Sequence, residues 1–209
     1  MTDGRLTVAV LGAGVVGRTL ARGWARAGHA VLLGTRDPDS GRIRAVLDEL
    51  GGGVVAAAHE NAARRADVVV ITVPGDQVPD LLAGLGDALV DRPVIDASNR
   101  MGASEPSAVG AIRAAGATPY RAYNSVGVEQ MAEPAFGGVP SDLLYAGPSS
   151  FSAVVEGLIR DTGFRPVHAG DDDGAYAAVD ALGRVWIQLV FRAGYGRRLG
   201  FRILTAEDD

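Results

Sequence analysis

Residues Leu6 to Leu11 form an apolar run that ends in Gly12-Ala13-Gly14-Val15-Val16-Gly17, and a helix-patterned stretch follows at once. A strand that runs through Gly-x-Gly-x-x-Gly into a helix commits a chain to one kind of unit. The first glycine permits the tight turn, the second bares backbone to a diphosphate, and the third seats the helix on the strand. Phosphate oxygens held there face the positive end of the helix. With 29 glycines in the chain some such spacings arise by chance, so the context has to carry the reading. Residues 15–27 keep a helical pattern through Val15, Val16, Leu20 and Trp24, and the pattern stops at Gly28. His29 to Leu33 then reads as a second strand. Where an NAD site places an acidic residue for the ribose hydroxyls, this chain has Thr35-Arg36, a hydroxyl and a guanidinium suited to a ribose phosphate. NADP is therefore the expected dinucleotide, and Asp37, next in line, keeps an NAD reading open.

Strand and helix patterns alternate along the rest of the chain, which predicts an α/β fold: a Rossmann-type doubly wound parallel sheet with a small C-terminal α/β unit. Strands are expected near 6–11, 30–34, 53–57, 67–73, 92–96 and 118–123, and helices near 15–27, 39–50, 60–65, 77–88 and 105–115. Ala66-Asp67-Val68-Val69-Val70-Ile71-Thr72-Val73-Pro74 carries, from Val68 on, the kind of apolar run buried on both faces, and Pro74-Gly75 ends it where ligands sit in such sheets. A further strand–helix–strand–helix unit is expected at 142–146, 149–160, 164–168 and 173–192. The division expected is a nucleotide-binding domain over 1–140 and a small unit over 141–209, closely packed because no low-complexity linker separates them.

Composition closes off several chemistries. The chain has no cysteine, and all twenty of its basic residues are arginine. Thiolate nucleophiles, cysteine-held metals, Schiff-base lysines and the Tyr-x-x-x-Lys pair of short-chain dehydrogenases are excluded together. Scattered arginines and a net charge of −5 give no nucleic-acid footprint. No apolar run reaches membrane-spanning length, and Met1 to Arg5 lead into the first strand without a signal-peptide core, so a cytoplasmic protein without membrane contact is expected. His29, His59 and His168 lack ligand spacing, and Asp171-Asp172-Asp173 suits a helix start, so no metal site is expected. The acidic end, Ala206 to Asp209, reads as a solvated tail.

Six motifs then occur in a telling order: Leu11 to Gly17, Gly34-Thr35-Arg36-Asp37-Pro38, Val73-Pro74, Asp96-Ala97-Ser98-Asn99, Ala122 to Gly127, and Arg192-Ala193-Gly194-Tyr195-Gly196 through Gly200-Phe201. In this order the chain resembles, over nearly its whole length, the NADPH-dependent reductases of coenzyme F420, a family of small deazaflavin oxidoreductases. The resemblance implies a Rossmann domain holding NADP(H), a C-terminal unit closing a cleft over the deazaflavin, and hydride passing directly between two stacked rings. No side chain is then assigned to the chemistry, and positioning and exclusion of water do the work. Carried over by position, Gly12, Ala13, Gly14, Val15 and Val16 contact the pyrophosphate, and Thr35 with Arg36 the extra phosphate. Val73 and Pro74 flank the adenosine ribose and diphosphate, while Asn99 and Asn124 orient a carboxamide or a deazaflavin edge. A homodimer is expected from the family likeness and the apolar last helix.

One departure keeps alternatives open. An acidic pair is expected after the strand at 142–146, and the chain has Ala146-Gly147-Pro148-Ser149-Ser150. A flavin or a small carbonyl, imine or enone metabolite is thus the alternative acceptor. Reducing a carbonyl or imine needs a proton donor, for which Tyr123, Tyr145 and Tyr176 are the candidates. A dinucleotide-sensing module without catalysis is the non-enzymatic reading.

Overall fold

The computed structural model describes residues 4–100 and 105–206, so the ends at Met1–Asp3 and Glu207–Asp209 lie outside the described residues. In chain order the elements are β1 (Thr7–Leu11), α1 (Val15–Arg26), β2 (Ala30–Thr35), α2 (Gly41–Leu50), β3 (Val54–Ala58), α3 (His59–Arg65), β4 (Val68–Ile71), α4 (Val78–Leu85), β5 (Pro93–Asp96), α5 (Val109–Ala114) and β6 (Thr118–Arg121). There follow α6 (Val128–Ala132), β7 (Ala135–Phe136), β8 (Val139–Pro140), β9 (Asp142–Tyr145), α7 (Ser152–Asp161), β10 (Arg165–His168) and α8 (Asp173–Phe191). Every strand and helix expected from the pattern is present. The short helix α6 and the β7–β8 hairpin were not expected, because elements of five and two residues are too brief to show a period.

The six parallel strands lie in the order β3-β2-β1-β4-β5-β6, that of a dinucleotide-binding sheet. The order reverses between β1 and β4, and the crevice at that switch point is where such sheets take their ligands. Alternation along the strands builds two cores. Val8, Val10, Val31, Leu33, Val68 and Val70 face α1 with its buried Trp24, and Ala9, Leu11, Leu32, Val69 and Ile71 face Ala62 and Ala63 of α3 and Leu82 and Leu85 of α4. Both faces of β4 are covered, which is why its sequence is apolar without interruption.

β9 and β10 form a second, two-stranded parallel sheet. It meets the edge of β6 through one antiparallel bridge, with Arg121 and Ala146 exchanging both backbone hydrogen bonds at 2.8 and 3.1 Å. Its core merges with that of the large sheet: Leu143, Val155, Leu158 and Phe164 join Trp24 and Tyr123, and Trp24 Nε1 donates to the carbonyl of Leu158 at 2.9 Å. No helix of the described residues is long and apolar enough to cross a membrane.

Candidate functional site

A cleft of about 540 Å³ opens at the switch point, at the C-terminal ends of β1, β2 and β4. Its centre is the turn from β1 into α1. Gly12 has φ +127°, and a Cβ there would stand 2.8 Å from Thr72 Oγ1 and 3.0 Å from the amide of Val73. A Cβ on Gly17 would run into the carbonyl oxygen of Gly12, so only glycines let α1 start this close to the strand end. Thr72 Oγ1 sits within 3.1 Å of the Leu11 and Gly12 carbonyls and ties β4 to the turn. Gly14 is the N-cap of α1 and has no side chain to cap with, whereas Ser40 and Asp172 cap α2 and α8 through their own oxygens. The first amides of α1 are thereby left for an external anion.

Cationic groups stand at one end of the cleft. Thr35 closes β2, Arg36 follows it, and Arg42 reaches the same cleft from the first turn of α2. Neither arginine has a carboxylate partner among the described residues. Asp37 does not line the cleft; its carbonyl accepts the Ser40 hydroxyl at 2.9 Å and sets the entry to α2. Val73 and Pro74 form the opposite lip, where α4 adds Asp80, Leu81 and Gly84. His59 completes the lining from the end of β3. Burial, and then the charge of Arg36, push its imidazole below the usual histidine range.

Of the residues singled out from sequence, the cleft brings together Gly12, Ala13, Gly14, Thr35, Arg36, Val73 and Pro74. Val15 and Val16 lie in the first turn of α1 beside it, Val15 being exposed. Asn99 and Asn124 lie beyond the cleft and hold the protein together. Asn99 Nδ2 donates to the Asn124 carbonyl at 3.1 Å, and Asn99 Oδ1 accepts from Arg121 at 2.9 Å. Asn124 is buried with Nδ2 donating to the Val179 carbonyl of α8 at 2.9 Å, and its Oδ1 has no partner. Arg42, His59, Asp80, Leu81 and Gly84 come to the cleft from three separate crossovers, without a motif to mark them.

The loop at 146–150 stands elsewhere than its place in the sequence suggested. Because β9 meets β6 antiparallel, the chain beyond Ala146 runs back down the edge of β6, away from the strand ends that open on the crevice. The carbonyl of Pro148 accepts the Tyr120 hydroxyl, and that hydroxyl accepts the Phe151 amide at 2.9 Å. α8 packs on the other side of β6, and the segment after it is tied back to the C-terminal unit. Trp186 Nε1 donates to the Leu199 carbonyl at 3.2 Å, and the Asp142 amide donates to the Phe201 carbonyl at 2.8 Å.

Similar proteins agree with this geometry. A family profile described as NADP oxidoreductase, coenzyme F420-dependent, matches residues 7–100. An F420-dependent NADP reductase from Methanothermobacter thermautotrophicus is 35% identical over 99 residues, and the match spans 44% of this chain and 43% of that protein, less than half of the curated relative. A structure from Arthrobacter sp. FB24, provisionally described as an F420-dependent NADP-reductase, superposes with a TM-score of 0.80 at 27% identity, covering 96% of this chain and all of that one. An imine reductase from Streptomyces aurantiacus, with a TM-score of 0.65 at 18% identity, covers 88% of this chain and 63% of its own and shares the fold. On residues 7–100, which match the family profile, and on the superposition along the whole chain, this protein is similar to the coenzyme F420-dependent NADP oxidoreductases and shares the fold of the Arthrobacter protein.

Proposed function

We propose that this protein is an NADP(H)-dependent oxidoreductase that passes hydride between NADP(H) and the deazaflavin coenzyme F420. One observation carries the reading: an uncapped helix end built from glycines, and two arginines without carboxylate partners among the described residues, bound one cleft within the stretch that matches the family profile. Bare amides at Gly14, Val15 and Val16 suit a diphosphate, and Thr35 with Arg36 suits the phosphate that separates NADP from NAD. Val73 and Pro74 are the lip along which the adenosine ribose and diphosphate lie. NADP(H) when bound supplies the hydride, so the chain has to orient two rings and keep water from them.

In this reading residues 1–140 hold the dinucleotide, and 141–209 cover the second-substrate side through α8 and the tail pinned at Leu199 and Phe201. Asn99 and Asn124 then act by fixing the backbone at the ends of β5 and β6. The exposed Val185, Phe191 and Tyr195 offer an apolar surface to a second copy, in keeping with a cytoplasmic homodimer.

Reduction of a carbonyl or imine is less well served. Tyr123 is fully buried, and its hydroxyl lies 3.0 Å from Thr162 Oγ1; Tyr145 donates to Glu156 at 2.7 Å and Tyr176 to the Pro119 carbonyl at 2.8 Å. None of the three lines the cleft. Purified protein mixed with NADPH and oxidised F420 should bleach the deazaflavin absorbance, with FMN and a cyclic imine as parallel arms. Bleaching absent at every pH from acid to alkaline removes the F420 assignment, and turnover in the imine arm alone replaces it.

A further inference from the structure

His59 opens α3 directly after β3, and the parallel register sets Thr35 opposite Ala58, so His59 stands beside Arg36. The ring packs against Gly34, where a Cβ would come within 3.1 Å of Nδ1. Nδ1 is buried and has no hydrogen-bond partner, and the side chain lines the cleft. Nε2 has no hydrogen-bond partner among the described residues and is not among the buried, unpartnered atoms, so with the side chain lining the cleft it is the polar edge left for a ligand. Buried N–H groups without partners are rarer than buried bare acceptors. The single proton of the neutral ring is therefore assigned to Nε2. A second proton would put an unpaired N–H into the protein at Nδ1, next to Arg36. The other charged groups around the cleft are Arg42 on α2 and Asp80 on α4, with Glu60 on the same helix as His59.

We propose that His59 is a specificity-determining residue, whose neutral imidazole donates Nε2–H to the phosphate on the adenosine ribose of NADP(H). This rests on NADP(H) being the dinucleotide. Arg36 supplies charge to that site, and His59 supplies a fixed, directional bond from a ring that its buried edge holds in place. A nucleotide lacking the phosphate leaves Nε2 facing water and loses only that bond.

Calorimetric titration of the full chain with NADPH and with NADH tests it. H59F removes the donor and keeps a ring; it should weaken NADPH about ten-fold and NADH by less than about two-fold. H59Q carries an amide nitrogen that reaches the position of Nε2, and should restore NADPH to within about three-fold of the parent. H59N keeps polarity without that reach and should behave as H59F does, which covers the case of a misfolded phenylalanine variant. Equal weakening of both dinucleotides assigns His59 to the adenosine they share and overturns the proposal, as does unchanged NADPH binding in H59F and H59N. A parent protein that binds NADH as tightly as NADPH defeats the NADP reading itself, and the proposal with it.

Discussion

Arg121 offers the sharpest test of how the strand ends beside the cleft are held. Its guanidinium is fully buried. Nε donates to Asp180 Oδ1 at 2.8 Å, Nη2 to Asn99 Oδ1 at 2.9 Å, and Nη1 to the carbonyls of Asp96 and Ser98, with Asp96 Oδ2 at 3.3 Å. Asp96 has three other donors, the Ser98 amide, the Ser98 hydroxyl and the Ala108 amide, whereas Asp180 depends on Arg121. R121M keeps most of the volume and strands Asp180 without a counter-charge. Removing one partner of a buried ion pair costs about 3–5 kcal/mol. Each kcal/mol moves the melting temperature of a chain this long by about 2–4 °C, so a fall of roughly 6–20 °C is expected. R121M/D180L removes the stranded carboxylate and leaves Asp96 with its backbone and hydroxyl donors, so the double variant should recover at least about 1 kcal/mol relative to the sum of the single changes. Urea unfolding at a constant m-value, alongside thermal melts, measures both quantities. A cost for R121M below about 1 kcal/mol, or additivity within about 0.5 kcal/mol, would falsify the claim that this buried pair holds α8 to β6.

R36A should weaken NADPH by about ten-fold or more while leaving NADH nearly untouched, and R42A should show the same bias more weakly; equal losses for both dinucleotides in a titration would place the phosphate elsewhere. Asp142 is buried, which opposes its ionisation, but the paired bonds from Arg165, the Ile203 amide and the charge of Arg202 outweigh burial and hold its carboxyl below the usual range. A depressed folded-state value means that the stabilisation is complete above the ordinary aspartate range and is lost as pH falls through the folded value. D142N should therefore destabilise the protein at neutral pH and flatten the acid limb of its stability curve; an unchanged acid limb counts against Asp142 as its source. Tyr123→Phe removes the contact with Thr162 at a cost of about 1 kcal/mol. It and the matching changes at Tyr145 and Tyr176 should leave NADPH turnover within about two-fold, since none of these rings lines the cleft. Collapse of turnover in any one of them names that tyrosine as a proton donor.

The fold was legible because its signals are long. Strands such as Val68–Ile71 bury both faces, and helices such as α1 and α8 run through several turns, so their periods survive in the sequence. The side of the cleft formed by the ends of β1 and β2 was legible because its residues are contiguous, in Gly12 to Gly14 and in Thr35-Arg36. His59, Arg42 and Leu81 carry no such mark, since each arrives on a different crossover and meets the others only once the sheet has formed. Asn124 carries a contact that sequence does not show: its amide nitrogen donates to the Val179 carbonyl of α8 while its Oδ1 stays without a partner. The loop at 146–150 escaped because sequence does not say that β9 meets β6 head to tail. Tyr123 belongs with it, since φ +63° ends β6 earlier than the apolar pattern through 123 suggests.

The antiparallel seam at Arg121 and Ala146 also decides where bulk accumulates. A parallel sheet widens by adding units at its flank, and each newcomer needs the free amides and carbonyls of the last strand. β9 travels in the opposite sense, touches that flank once, and otherwise pairs with β10 and, at Asp142, with Phe201. Sideways growth halts there, and the later chain packs against the flank of β6 through α8, whose Asp180 and Tyr176 bond to Arg121 and the Pro119 carbonyl. A slip of Ala146 along Arg121 would displace Asp142 and the tail strapped to it in the same movement.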